Sequence, residues 1–400
     1  MNKQNFAEEK VKDKLTPRRI YSILTSTMLP FIYGITLVFS GVIQDASLKS
    51  FSITSDEYHR NAYLIFFVGG FVSNIFCYNI PVEKTAVFFA SGIFFALSFA
   101  TMLHQSLPIV YLGRFFGGFA GGLIGNSVPF YLSTTAPIQY RGFISSLFSF
   151  GMVTGFLLIN ILLSIGDSSF IFKNYTIFVT VTVGFSLVVS FLSIFSVKLK
   201  STPSSDAVSF FTLLKNKQAH RSLLLVAIFH FASNMSAINQ ISLNPETIFP
   251  GSNYRLHVII TLVISLFTGL FSGYLLENLG RKTMSLISAG IVVCCCIAFY
   301  FSFYIAIFTY ILSFGYNLGL NSVPYVLMSE IFPPCSVAPG VMLGIACNYF
   351  SSILSVVIPQ GFPDIPYNPI FLSYIVTLFT FIAFVALKFK ETKGTKAGFQ

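Results

Sequence analysis

The chain has 400 residues, 54% of them hydrophobic and only 10% charged, with 48 phenylalanines and a mean hydropathy of +0.77. A soluble domain of this size needs far more charge on its surface, so a water-soluble fold is excluded. The net charge of +10 sits in the tails and a few loops rather than in one stripe, which argues for topology signalling and lipid-headgroup contact and against nucleic-acid binding.

The first 20 residues carry six Lys/Arg and no apolar core. No cleavable leader is expected, and the first apolar run should stay as an anchor. Runs close to the roughly 20 residues a bilayer-crossing helix needs then follow in order. They lie at about 22–43, 61–80, 85–104, 109–133, 142–165, 175–197, 222–243, 256–277, 283–302, 304–328, 340–361 and 368–388. The longest break, 198–221, is a Ser/Pro-containing linker followed by a short amphipathic, basic stretch. The expected organisation is a cytoplasmic tail (1–21), a six-helix bundle (22–197), a cytoplasmic linker (198–221), a second six-helix bundle (222–388) and a cytoplasmic tail (389–400). With both termini on one face, that face collects 19 of the 24 Lys/Arg, which makes it cytoplasmic. The fold class is an all-α integral membrane protein of twelve transmembrane helices.

"NSVPFY" (126–131) and "NSVPYV" (321–326) stand 195 positions apart, each near the same end of its half's fourth span. This is the mark of a parallel internal repeat, with a cavity between two bundles that rock against each other. Gly113, Gly117, Gly121 and Gly125 recur every fourth residue and predict a flat face for close helix contact. They lie inside a span, which argues against a phosphate-binding loop.

Beside this reading, the chain resembles the sugar porter family of the major facilitator superfamily over most of its length. "GRFFGG" and "VPFYLSTTAPIQYRG" around the fourth span, "ENLGRKT" after the eighth, "VPYVLMSEIFP" in the tenth and "FKETKG" in the tail are similar to that family's motifs in order and position. The resemblance implies the major facilitator fold and a transport function for hexose sugars, D-glucose foremost. It also implies a charge latch at the cytoplasmic face, in which Glu277, Arg281, Lys282 and Glu330 pair across helix ends. Gly280 permits the tight turn there, Arg141 is the counterpart in the first half, and Arg114 is counted with the same latch. The first half departs from the pattern. "NIPVEKT" leaves only Glu83 and Lys84 between the second and third spans, Thr134 stands at a glutamate position, Val337 near an arginine position, and "STPSS" replaces the motif after the sixth span. A weakened inner gate favouring inward-open states is the expectation.

A sugar needs side chains that donate and accept together, with aromatic faces for its C–H surface. By the resemblance, Asn239 and Asn348 are the leading substrate contacts. Ser233 and Asn234 stand at two glutamine positions, Tyr349 and Tyr325 at tryptophan positions, Asn317 at a glutamate, Ser149 at a glutamine and Ser265 at an asparagine. Leu243 and Asn244 replace a tyrosine pair. The alternative for each polar residue is helix–helix hydrogen bonding.

Proton-coupled relatives carry an acid in the first span, where Ile35 stands here, and no Asp or Glu falls at mid-depth in any predicted span. A proton carrier must titrate inside the pathway. His230 is the lone candidate, and Arg114, the one charge available to the cavity, is fixed positive. Facilitated diffusion is therefore expected, with a polyol or related metabolite as alternative cargo and proton symport as alternative mechanism. An enzyme is not expected, since no nucleophile–base pair stands near a membrane face, nor is a sensor with a long signalling tail. The Cys294–Cys296 run reads as packing, so neither metal nor cofactor is called for. The expected partners are a sugar and the bilayer, with a monomer sufficient.

Overall fold

The structure, a computed structural model, describes residues 15–51, 55–76, 83–104, 106–137, 140–165, 174–198, 217–243, 245–249, 253–332, 337–360 and 367–393. Among these residues every regular element is helical. In hydrocarbon no water satisfies the backbone, and a helix satisfies its N–H and C=O groups internally. The runs of Phe, Leu, Ile and Val therefore fold as α1 (Pro17–Phe51), α2 (Ser55–Phe76), α3 (Lys84–Thr101), α4 (Leu107–Thr135), α5 (Arg141–Ile165) and α6 (Tyr175–Ser193). The second set begins with α7, which is broken into Lys217–Asn234, Ile238–Leu243 and Pro245–Ile248. Then come α8 (Tyr254–Leu279), α9 (Arg281–Tyr300), α10, α11 (Val337–Gln360) and α12 (Tyr367–Leu387). α10 is itself composite: Ile305–Gly315, a π turn at Tyr316–Leu320, then Val323–Glu330. Eight of the described helices are long and apolar enough to cross a membrane. α2, α7, α10 and α11 are not among them, and a break divides both α7 and α10.

The first six helices pack as α1·α5, α2·α4, α3·α4 and α3·α6, and the last six as α7·α11, α8·α10, α9·α10 and α9·α12. Each pair recurs six helices later. Between the two sets the principal contacts are α2·α11 and α5·α8, which the same shift of six exchanges, as a parallel repeat requires. The linker residues 199–216 lie outside the described residues, as do Asp167, Asn244, Asp364 and the side chains of Asp45, Arg141, Leu243 and Val337.

The two copies of the repeated phrase fold differently. In α4, Pro129 is accommodated within a continuous helix. In α10, the N–H of Asn321 reaches back five residues to Tyr316 O at 3.0 Å, and Ser322 Oγ donates to Asn317 O at 3.2 Å. A proline ring crowds the carbonyl four residues back, and the extra residue of a π turn takes up that crowding. Ser288 of α9 supports the turn from outside, donating to Gly315 O at 2.6 Å and accepting from Leu320 N–H at 2.8 Å.

The α7 break centres on Ala237, which is buried and left-handed at φ 64°. A Cβ there clashes with its own backbone, at a cost of roughly 1–2 kcal/mol. Ala237→Gly is therefore expected to stabilise the protein by about 1 kcal/mol, read as a higher unfolding midpoint in detergent.

Candidate functional site

The break in α7 turns Asn239 and Gln240 toward α11, where Asn239 Nδ2 donates to Ser355 Oγ at 2.8 Å and Gln240 Nε2 to Ser355 O at 3.0 Å. Asn234 is the hub of the resulting network. Its Nδ2 donates to Asn348 Oδ1 (2.8 Å) and His230 O (3.0 Å), while its Oδ1 accepts from Asn239 Nδ2 (3.1 Å) and Ser352 Oγ (2.8 Å). Both of its protons and both lone pairs are thus used inside the protein. Asn348 Nδ2 donates to Tyr325 OH at 3.3 Å, leaving one amide proton and one lone pair spare. Asn239 keeps its carbonyl oxygen, and Tyr325 keeps its hydroxyl proton.

Spare hydrogen-bonding capacity coincides with exposure. Asn239, Asn348 and Tyr325 are half-buried, whereas Asn234, Ser233, Ser265 and Asn317 are buried. Asn317 Nδ2 donates to Ser265 Oγ (3.0 Å) and Ser313 O (2.9 Å), and its Oδ1 accepts from Asn321 (3.0 Å). Ser265 Oγ also meets Ser313 Oγ at 2.7 Å. The α8–α10 set is therefore internally satisfied, as is Ser233, which donates to Tyr316 OH at 3.3 Å. Ser149 of α5 is half-buried and joins neither set. The geometry divides the predicted residues into a group with spare hydrogen-bonding capacity (Asn239, Asn348, Tyr325), the candidate lining, and a saturated group.

Tyr349 crosses between the halves. Its hydroxyl lies 3.2 Å from that of Tyr33 on α1, and its ring occupies a notch left by two glycines. A Cβ on Gly70 would fall 2.2 Å from Tyr349 Cε1, and one on Gly121 would fall 2.3 Å from the Tyr33 ring. Both tyrosines are buried, and their hydroxyl contact bridges the halves. Tyr33 went unrecognised in the sequence because an aromatic in an apolar span carries no distinguishing signal. Ser352 and Ser355 were legible: they lie four and seven residues after Asn348, on its helical face.

Toward the face opposite the termini the halves meet again. Val153, Phe156 and Leu157 of α5 pack on Val258, Leu262 and Leu266 of α8, and Arg255 Nη1 donates to Leu163 O. An apolar groove of about 580 Å³ on α8 and α10, lined by Phe267, Phe271 and Phe314 among others, offers an acyl-chain surface and no polyol site.

At the terminal face Arg281, nearly buried, holds Glu330 through Nη2–Oε1 (2.6 Å) and Nε–Oε2 (3.2 Å), and Glu277 through Nη2 (3.0 Å). Thr392 Oγ1 adds a bond to Glu330 at 2.7 Å. The tail is pinned here too. Glu391 accepts from the backbone N–H groups of Arg281 (2.8 Å), Lys282 (2.9 Å), Lys393 (3.0 Å) and Thr392 (3.1 Å), at the N-terminus of α9. Gly280 makes room for it: its φ is +85°, and a Cβ would lie 2.5 Å from the Glu391 carboxylate. Burial alone would raise the Glu391 pKa, but these four donors outweigh it and hold the carboxyl below its ordinary value of 4.5. A depressed folded-state pKa adds stability above the unfolded value and loses it as pH falls through the folded one. Glu391→Gln should thus cost about 0.5–1 kcal/mol at pH 7 and progressively less in acid, checked by thermal melts across that range.

Lys282 does not join the carboxylates; its Nζ donates to Ala386 O at 2.9 Å. Arg114 does not join them either, because it lies in the other half, seven residues into α4 from the opposite face. In the first half Glu83 pairs with Lys198 at 3.4 Å, an exposed contact. None of these ion pairs crosses between the halves. On α1, Thr36 presents its carbonyl to Arg114 at 2.6 Å, and the backbone of Ile35 packs on Gly155 of α5. Neither residue is acidic.

A sequence profile of the family described as "Sugar (and other) transporter" matches the chain twice, at residues 21–204 and 196–397. The chain is 23% identical to facilitated glucose transporter member 2 of Sus scrofa, over 74% of this chain and 67% of that protein. It is 24% identical to a probable quinate permease of Aspergillus fumigatus, over 96% and 88% respectively. Among solved structures it is similar to the inward-open xylose transporter XylE from E. coli. That match has a TM-score of 0.70 at 18% identity, covering 94% of this chain and 97% of that one, and it carries the twelve-helix fold.

Proposed function

Since the chain belongs to the sugar transporter family, and is thus a multi-pass membrane transporter rather than an enzyme, we propose that it is a facilitator of hexoses, D-glucose first. The carrying observation is the half-buried trio Asn239, Asn348 and Tyr325. These residues of the second half offer unused donors and acceptors, while Asn234 beside them is saturated. A polyhydroxylated ring matches such mixed capacity, and the Tyr325 and Tyr349 rings suit its C–H faces. Alternating access follows from the repeat: the solute passes when the Tyr33–Tyr349 contact parts and the halves rock. The path runs within one chain, so a monomer suffices.

Uniport is supported by the absence, among the described residues, of any carboxylate at mid-depth. The ion pairs of the terminal face stay within one half, in keeping with a loosely latched inner gate and a preference for inward-open states. An inhibitor preference for the outside-open form would count against that bias. The excess of basic residues on the face of the termini supports a cytoplasmic position for both, and the plasma membrane is the proposed location. A second reading, a polyhydroxylated solute other than a hexose, draws on the likeness to a quinate permease across nearly the whole chain.

Uptake of labelled D-glucose into proteoliposomes tests the proposal. Saturable flux indifferent to an imposed proton gradient is expected. Gradient-driven accumulation would overturn uniport and direct attention to His230, which is buried edge-on to Tyr325 with Nε2 unpartnered. Absence of D-glucose flux in folded protein would overturn the hexose assignment.

A further inference from the structure

Arg114 is fully buried in the first half, yet among the described residues it faces no carboxylate. Its Nη1 donates to Thr36 O at 2.6 Å and its Nη2 to Leu37 O at 3.4 Å. The guanidinium carbon stands 4.7 Å from the Phe66 ring centroid. Its Nε–H has no acceptor, and neither does the hydroxyl of Tyr58, a residue that is itself 0% exposed. The titratable groups within the field of the guanidinium are Tyr58, Tyr63 and Tyr33, none of them a carboxylate. Carbonyl dipoles and a ring face offset part of the cost of burying a cation, but they leave its net charge standing.

We propose that Arg114 and Tyr58 form a binding site for one small monovalent anion, either a halide or the carboxylate of a polyhydroxy acid. The charge fixes the sign: a buried guanidinium with no carboxylate beside it among the described residues calls for a negative partner, and its unused N–H together with the unused phenol O–H can donate to one. The single positive charge fixes the valence, because a dianion would leave one negative charge uncompensated in apolar surroundings. The site lies beside the pathway. Phe66, under the guanidinium, also packs on Tyr33 at 5.8 Å between ring centroids, and Tyr33 meets Tyr349 across the halves. The inference does not depend on the hexose assignment.

The test uses purified full-length protein in detergent, in sodium sulfate at constant ionic strength, with the unfolding midpoint followed as chloride or gluconate replaces sulfate. The wild-type midpoint should rise saturably by several degrees with at least one of the two. Chloride alone identifies a free inorganic ion; gluconate alone identifies the carboxylate of a solute. Arg114→Gln should abolish the rise, and Tyr58→Phe, which keeps the cation, should move half-saturation several-fold higher. A wild-type midpoint indifferent to both anions, or an equal rise in Arg114→Gln, overturns the site. Should Arg114→Gln not yield folded protein, an unchanged half-saturation in Tyr58→Phe overturns it instead.

Discussion

Gly118→Ala is expected to cost about 3 kcal/mol or more, enough to remove most folded protein. A Cβ at this position would fall 1.7 Å from the carbonyl oxygen of Phe66 and 2.6 Å from its carbonyl carbon. The obstructing atoms are backbone atoms of α2, and no rotamer change relieves the contact. α2 and α4 would have to separate along their shared length, breaking the tightly packed glycine seam that holds the first half together. Gly184 is the control: nothing stands within 4 Å of a Cβ there, so Gly184→Ala should leave expression and the unfolding midpoint at or slightly above wild type. Size-exclusion profiles of the two variants distinguish the outcomes. A monodisperse, wild-type-like peak for Gly118→Ala would contradict the packing described.

Asn348→Ala is expected to lower D-glucose transport efficiency by ten- to a hundred-fold, while Asn234→Ala should act mainly on stability. Removing Asn348 takes away the spare donor and acceptor of the lining group and leaves Asn234 Nδ2 and Tyr325 OH each short of a partner. Each lost bond to solute is worth roughly 1–1.5 kcal/mol, about a tenfold change. Asn234 has no capacity left for a solute, so its loss disorders the network instead. The expected signature is a fall of several degrees in the unfolding midpoint, with a smaller effect on flux per folded molecule. Uptake normalised to folded protein, measured beside thermal melts, separates the two roles. Equal effects on flux and stability in both variants would contradict the division.

Much of this architecture is legible in the residues themselves. The apolar runs mark the twelve spans, and the Gly113–Gly117–Gly121–Gly125 spacing announces a close-packed face that holds at the first three, while a Cβ on Gly125 would meet only Ile345 at 3.9 Å. What escapes is whatever depends on a neighbour. Gly118 and Gly122 form a second face against α2, and spacing alone does not separate them from the first. The π turn in α10 is hidden because "NSVP" reads identically in α4; the difference lies in Ser288, on another helix. The break in α7 turns on an alanine in the left-handed region, a conformation that its side chain disfavours and that no local pattern signals. At the candidate site, residue type finds the amides but cannot tell which are saturated. Asn234 and Asn348 look equivalent in the sequence, and only their partners divide positioning from lining.

The chain contains no tryptophan, which permits a direct test of where the solute binds. Tyr349→Trp would place a single indole between the halves, beside Asn348 and against Tyr33. Titrating D-glucose into this variant should give a saturable fluorescence change that L-glucose does not produce and that Asn348→Ala removes. A variant that still transports D-glucose with no change in its tryptophan emission would place the solute elsewhere and contradict the assignment of the α7–α10–α11 cluster as the binding site.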